Sequence, residues 1–325
     1  NTLKRVYDYE PLPKELSSAE ANYILGAQAN LWTEYITTPK QVQYMVLPRM
    51  LALSEVLWSP ANSKDWSNFN ERLQSHFIGF DQKGLHYSKG NFKVDIKPSL
   101  QAGKLYATLS TEAYKGQIQY TTDGTHPNIN SSEYANPIEI NSSVTIKAIT
   151  TVNGEVKSIL PAEQKFAIHK AIGKQVVYTN PISRYYMADG PNSLTDGIKG
   201  TTAVNKFWHG ISSKDLIATI DLGEEKKIQT LSLGCLQQYA DWIMMPEWVK
   251  FEFSLDGIHF SEIGTIHNTV LQQDKTPTIK DFSIQFAPIK ARYVRATAKV
   301  LNQLPKGHSG EGKPAWIFVD EFIVE

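Results

Sequence analysis

The sequence predicts a multidomain chain: a piece of an α/β domain over residues 1–88, then two all-β units over 92–168 and 171–325. Three observations predict it. In the first ninety positions, apolar residues recur at spacings of three and four, and one short strand-like run interrupts them. From residue 92 the pattern changes to short β-rich runs separated by Gly, Asn, Asp and Pro clusters. A length of 325 residues is that of two or three domains rather than one.

The first segment reads as strand, helix, helix. "ILGAQANLW", residues 24–32, is short and apolar enough for a buried strand. "TPKQ" then opens a helix, with Thr38 as N-cap, Pro39 at the first helical position and Gln41 closing a capping box. The helix runs through "VQYMVLPRMLALSEVLW", where Pro48 is expected to kink it. Trp66, Phe69, Leu73, Phe77 and Phe80 lie at helical spacing and signal a second helix that stops near Gly84. One strand cannot form a sheet, and "NTLKRVYDYEPLP" opens as the middle of something longer. Residues 1–35 are therefore expected to be mostly irregular, or to pair across chains.

The strand's end, "LWTE", places Trp32 and Glu34 two residues apart, on one face of an extended chain. Two readings stand. An exposed strand end leaves the glutamate solvated. A sugar pocket uses the indole to stack on a pyranose and the carboxylate to accept from hydroxyls.

The middle segment alternates β-runs with turn clusters in the manner of a small antiparallel sandwich, and Asp123-Gly124 marks a tight turn. The last segment offers "LIATIDLG", "IQTLSLGCL", "VKFEFSLDG", "IKDFSIQF", "ARYVRATA" and "AWIFVDEFIV" with no helix of useful length between them, as in a β-sandwich or jelly roll.

Composition removes several function classes. Acids and bases balance at 33 each, so no chain-wide basic field attracts nucleic acid or anionic lipid. No run of 18 apolar residues exists to span a membrane as a helix. The single cysteine, Cys235, excludes an intrachain disulfide and reads as a small buried hydrophobe. The eight histidines show no zinc-ligand spacing. Nothing in the sequence fixes an oligomeric state.

Residues 23–60 contain G-x-Q-x-x-x-W-T-E followed by L-P-R-x-x-A-L-x-E. This stretch resembles the last strand and helix of the (β/α)8 barrel in family 20 β-N-acetylhexosaminidases. The resemblance implies that Trp32 walls the terminal-sugar pocket and that Glu34 bonds the sugar's outer hydroxyls. Arg49 and Glu55, on the helix that follows, read as structural and paired. "IQYTTDGTHPNINSSEYANPIEINSSVTIKAIT" resembles the immunoglobulin-like domain that follows the barrel in chitobiase-like enzymes. Its two N-x-S sequons, at Asn130 and Asn141, read as turn residues. "SLTDGIKGT", "FWHG", "ATIDLGEEKKIQTL", "WVKFEFSLDGIHF" and "AWIFVDEFIVE" resemble a discoidin, or F5/8 type C, domain.

The discoidin resemblance implies glycan binding by loops at one end. Tyr185, Tyr186, Trp208, His209, Trp242 and His308 are the loop-placed candidates, with rim packing as the alternative, while Trp316 reads as a strand residue packed in the core. It also implies a structural calcium, held by Asp196, Thr201 and Glu321 with carbonyls at Ser193, Ile198 and Asp320. The alternative is an Asx turn at Asp196.

The family resemblance implies an exo-acting enzyme that removes terminal N-acetylhexosamine from glycans outside the cytoplasm. The substrate's acetamido oxygen is the nucleophile, and an Asp-Glu pair supports it. The only Asp-Glu dipeptide, Asp320-Glu321, lies in a β-run, where neighbours face opposite ways. The chain alone is therefore expected to be inactive, with no catalytic cofactor. The alternative is a non-catalytic carbohydrate-binding or adhesion protein acting through its discoidin-like part.

Overall fold

The computed structural model describes residues 1–101, 103–204 and 207–325. The chain forms two compact units: Asn1–Ile96, Leu109–Asn136 and Lys147–Glu163 in the first, and Lys97–Thr108, Pro137–Ile146 and Gln164–Glu325 in the second.

Helices α1 (Leu3–Tyr7), α2 (Ser18–Ala21), α3 (Pro39–Val46), α4 (Arg49–Trp58) and α5 (Trp66–Gln82) lie in the first unit. The Thr38 hydroxyl accepts from the Gln41 amide and the Gln41 side chain returns to Thr38, completing the expected box. Pro48 does more than kink the helix. It ends α3 and begins α4, because the residue before a proline is pushed to extended backbone and Leu47 adopts φ −92°, ψ 137°. Asp65 caps α5, whose Phe69, Leu73 and Phe77 are buried at the expected spacing. They meet Leu3, Tyr7, Leu47, Ala52 and Tyr87 in one core, with Tyr7 stacked on Phe69 at 4.9 Å and Phe77 on Tyr87 at 5.0 Å. The short helices α1 and α2 carried no sequence signal that was read. Arg49 and Glu55 do not pair with each other. Six positions apart they leave the helix on different sides. Arg49 donates to the Tyr44 and Met45 carbonyls at the end of α3, and Glu55 pairs with Arg72 at 2.5 Å.

Residues 24–32 form no strand. They run as irregular chain, with Leu25 98% and Trp32 82% exposed. Among the described residues the run ladders with no strand, and of its amides Ile24 alone donates a backbone bond, to the Ala21 carbonyl.

Strands β1 (Val94–Gln101), β2 (Lys104–Thr111), β3 (Gln117–Thr121), β4 (Ser132–Glu133), β5 (Ile138–Glu139), β6 (Val144–Val152), β7 (Glu155–Val156) and β8 (Ala162–Phe166) come from the immunoglobulin-like segment. In the first unit β3 pairs antiparallel with β4 and with the second half of β6, which also pairs with β7. Gly124 supplies the positive φ, 77°, of the expected turn. In the second unit Tyr106 and Ala107 of β2 stand opposite Glu139 and Ile138 of β5.

The second unit is dominated by β9 (Val176–Tyr178), β10 (His209–Ser212), β11 (Leu216–Gln237), β12 (Trp248–Ser254), β13 (Ser261–His267), β14 (Thr278–Ala298) and β15 (Trp316–Val324). They run in the order β10-β15-β11-β14-β12-β13, and β9 adds to β11. Two long strands make the sandwich. Register shifts between Asp221 and Lys226 and between Ile228 and Thr230 bend β11, so its first half pairs with β9 and the end of β14. Its second half pairs with β15 and the start of β14. Leu216, Ala218, Ile220 and Leu222 alternate inward along β11 to meet Phe251, Phe282 and Phe322 in the core. Cys235 is buried there too, as expected.

Candidate functional site

A cavity of about 450 Å³ opens on the second unit, lined by Tyr186, Val204, Ala240, Asp241, Trp242, Ile243, Trp316 and Phe318. Trp316 begins β15 and is half-buried, with its amide on the Trp242 carbonyl at 2.9 Å and its own carbonyl taking the Met244 amide at 2.9 Å. Tyr186 sets its ring edge-on to Trp316 at 5.3 Å, and Trp316 meets Phe318 at 6.1 Å. Trp242 holds a left-handed backbone, φ 65° and ψ 17°, after the turn Tyr239–Asp241. Such a conformation in a bulky residue costs of order 1–3 kcal/mol and persists only where the surroundings impose it. Here they do. A Cβ on Gly310 would lie 2.7 Å from the Trp242 ring, so glycine admits the indole, and the Lys313 ammonium sits 5.2 Å from the ring centre. The exposed Asp241 carboxylate accepts from the Gln238 amide at 2.5 Å and stands at the cavity's rim. Flat aromatic walls with a rim carboxylate are chemically suited to a sugar ring: C–H faces stack on the rings and hydroxyls donate to the acid.

A second constellation is buried. Glu321 Oε1 accepts from the Gly197 amide at 3.0 Å and lies 2.6 Å from His169 Nε2. Among the described residues, Glu321 Oε2 has no hydrogen-bond partner. Asp196 ends the turn Ser193–Thr195, and its Oδ1 accepts from the Ile198 amide at 2.8 Å, which is the Asx turn. Burial, then the charge of Glu321, push the Asp196 carboxyl up to about 9. Burial likewise raises Glu321 and lowers His169 to about 4, so the imidazole beside the carboxylate is neutral at pH 7. Burial thus favours the protonated, neutral form of both carboxyl groups where they meet. Asp320 serves a different face, accepting from Gly200 N at 2.8 Å with Lys199 Nζ at 3.3 Å. Among the described residues, no three His, Cys, Asp or Glu side chains cluster to hold a metal by themselves.

Residues 1–61 match the model of the glycosyl hydrolase family 20 catalytic domain, 101–160 that of the chitobiase/β-hexosaminidase C-terminal domain, and 177–306 that of the F5/8 type C domain. The three resemblances are shown. The chain is multidomain, with a family 20 segment, an immunoglobulin-like segment and a discoidin-type β-sandwich in that order. A β-hexosaminidase of Porphyromonas gingivalis is 27% identical over 271 residues, which cover 79% of this chain and 33% of that protein. A β-N-acetylhexosaminidase of Cellulomonas fimi is 31% identical over 85 residues, 26% of this chain and 17% of that protein. The chain spans one third or less of the length of these two relatives. A solved chitosan-binding module from a Paenibacillus chitosanase/glucanase aligns with a TM-score of 0.34 and 16% identity, covering 49% of this chain and 98% of that one.

The discoidin-type sandwich keeps some of the sequence-predicted glycan residues and removes others. Tyr186 and Trp242 line the aromatic cavity, and Tyr185 is 73% exposed beside Arg184. Trp208 is corrected to a core residue. It is 1% exposed, its ring lies against Gly200, where a Cβ would come within 2.5 Å, and its Nε1 donates to the Thr201 carbonyl at 2.9 Å. His209 is corrected likewise: it is strand, not loop, and fully buried at the start of β10, with Nδ1 3.3 Å from the Tyr178 hydroxyl. His308 is buried and braces the site from behind. Its Nδ1 accepts from Gly310 N and its Nε2 donates to the Tyr239 carbonyl at 2.7 Å, joining the two loops that frame Trp242. Trp316 is a strand residue packed against the buried Trp208, Leu236, Ile243 and Phe318, as expected, and its exposed side also lines the cavity. Asp241 and Phe318 were not singled out in the sequence. Asp241 adjoins a candidate tryptophan, which was its one signal.

Of the calcium set, Asp196 and Glu321 come together, while the Asp320 side chain, whose backbone carbonyl was the expected ligand, engages Gly200 and Lys199. Thr201 Oγ1 accepts from Ala203 N at 3.3 Å. In the family 20 segment, Trp32 and Glu34 are both exposed and line none of the cavities described.

Proposed function

We propose that these residues are the C-terminal portion of an exo-acting β-N-acetylhexosaminidase that works outside the cytoplasm, and that within them the discoidin-type sandwich holds glycan in its aromatic cavity. The observation that carries this reading is the wall of Tyr186, Trp242 and Trp316 around one cavity with Asp241 at its rim. The domain order supports the parent activity, in which the acetamido oxygen of a terminal N-acetylhexosamine attacks its own anomeric carbon. Trp32 and Glu34 belong to that parent's sugar pocket by resemblance. The cavity's task is retention: it keeps a polymeric substrate close and raises the local concentration of sugar ends. Calorimetric titration of the whole chain with N-acetylglucosamine and N-acetylgalactosamine glycosides tests this. Saturable binding is expected, weakened about tenfold or more in Trp316→Ala, since one aromatic stacking surface is worth about 1–3 kcal/mol. Binding that ignores this substitution would remove the cavity from the account.

Calcium forms part of the same proposal. Asp196 and Glu321 would hold it, with the carbonyls of Ser193, Ile198 and Asp320 and the Thr201 hydroxyl as further oxygens. The unpartnered, buried Glu321 Oε2 supports the fit. Bound there, the cation would displace the protons that burial retains on the two carboxyl groups and tie the loop at 193–201 to β15. Calcium at a hundredfold over its dissociation constant adds about 2.7 kcal/mol. For a unit of this size that raises the melting temperature by about 5–10 °C over the chelated sample. Glu321→Gln is expected to abolish the difference. Identical melting of the native chain with calcium and with chelator would argue for the Asx turn alone.

A further inference from the structure

A second cavity on the second unit, about 570 Å³, has a lining unlike the aromatic one. Four lysines, Lys104, Lys170, Lys174 and Lys226, contribute to it, and no carboxylate does. The two cavities share no residue. In a chain with 33 acids and 33 bases, four ammonium groups around one hollow form a local field rather than a general property. Two are partly answered: Lys104 pairs with Glu139 at 2.6 Å, and Lys226 stands 3.9 Å from Glu224. Among the described residues, Lys170 and Lys174 form no ion pair.

The loop that presents these two lysines is pinned. The Lys170 amide donates to the Val324 carbonyl and the Gly173 amide to the Thr195 carbonyl, each at 2.8 Å. His169 Nδ1 accepts from the Ala171 amide at 3.3 Å. The backbone that carries the two lysines is therefore fixed before any ligand arrives, which lowers part of the ordering cost of binding. Apolar side chains, Leu105 and Ile172 among them, line the same cavity. Its volume suits a small organic molecule, about 300–1,000 Å³ being usual, and exceeds the needs of a bare anion. A charged head against lysines and a body against apolar surface describes a sugar that carries an oxyanion.

We propose that this lysine-lined cavity binds an anionic saccharide, through a sulfate ester or a carboxylate on the sugar ring, as a subsite separate from the aromatic cavity. The proposal rests on the glycan-binding reading only for the choice of a sugar as the body of the ligand.

The test titrates the whole chain with N-acetylglucosamine 6-sulfate, glucuronic acid, unmodified N-acetylglucosamine and inorganic sulfate at 50 and 300 mM NaCl. At least one of the two charged sugars is expected to bind more tightly than inorganic sulfate, with affinity falling as salt rises. The double variant Lys170→Gln/Lys174→Gln is expected to weaken that binding about fivefold or more and to flatten its salt dependence, whereas Trp316→Ala keeps the salt dependence. Which charged sugar binds separates sulfate from carboxylate recognition. Charged-sugar binding lost in Trp316→Ala and untouched in the lysine variant would overturn the proposal while leaving the aromatic site intact. Failure of unmodified sugar to bind, with lysine-dependent binding of the charged one, would sink the aromatic reading and uphold this one. Equal affinity for inorganic sulfate, or no binding of either charged sugar, would also overturn it.

Discussion

Amides of residues 25–32 are expected to exchange with solvent at least about a thousandfold faster than those of residues 216–222. The two segments are comparably apolar, and their difference lies in what surrounds them. Ile24 makes one turn bond, to the Ala21 carbonyl at 3.1 Å, and the residues after it belong to no ladder. Residues 216–221 are laddered along β14, and 218–220 also along β9, while Leu216, Ala218, Ile220 and Leu222 are fully buried. Local opening costs near zero in unpaired chain and approaches the whole unfolding free energy, about 5–15 kcal/mol, in a core strand. Each 1.4 kcal/mol of that gap is a factor of ten in the exchange equilibrium. Hydrogen exchange read by mass spectrometry on a verified monomer measures the contrast. Equal protection of the two segments would mean that residues 24–32 have found partners of their own, and the barrel-segment assignment would have to be given up. Protection that appears only in a dimer would mean that the run pairs across chains.

Features set by neighbouring residues were legible in the sequence, and features set by distant ones were not. The Thr38–Gln41 capping box, the Asp123-Gly124 turn and the buried stripe of α5 are written within a few positions, and the structure repeats them. Pro48 was legible as a disturbance, but its strength was underestimated because a missing donor and an extended Leu47 act together. "FWHG" was misread as an accessible loop. His209–Ser212 is a strand only because β15, about a hundred residues later, lies opposite it, with His209 facing Val319. The same distance hid the lysine cavity, since Lys104 and Lys170 are neighbours in no window of the sequence. Asp196 and Glu321 were paired correctly because the discoidin resemblance brings the two ends of the module together. The role of His169, wedged against Glu321, had no signal at all.

In the proposed function these 325 residues hold sugar without cleaving it. Cleavage by substrate assistance needs one carboxylate to orient the acetamide and another to protonate the leaving oxygen at the same ring. Asp320 and Glu321 are adjacent in sequence, but one faces Gly200 and Lys199 while the other faces Gly197 and His169. Asp196 and Glu321 do converge, yet Glu321 is fully buried, so no glycosidic oxygen can reach it. Glu34 is exposed and lines none of the cavities described. A competent glycosidase site accelerates its reaction by a million-fold or more over water, so even a trace of function is visible. The decisive measurement is release of chromophore from an aryl N-acetyl-β-glucosaminide by the purified chain, at substrate concentrations that saturate the aromatic cavity. The account predicts a rate equal to the buffer blank. Turnover above blank that scales with protein concentration and survives further purification would contradict it.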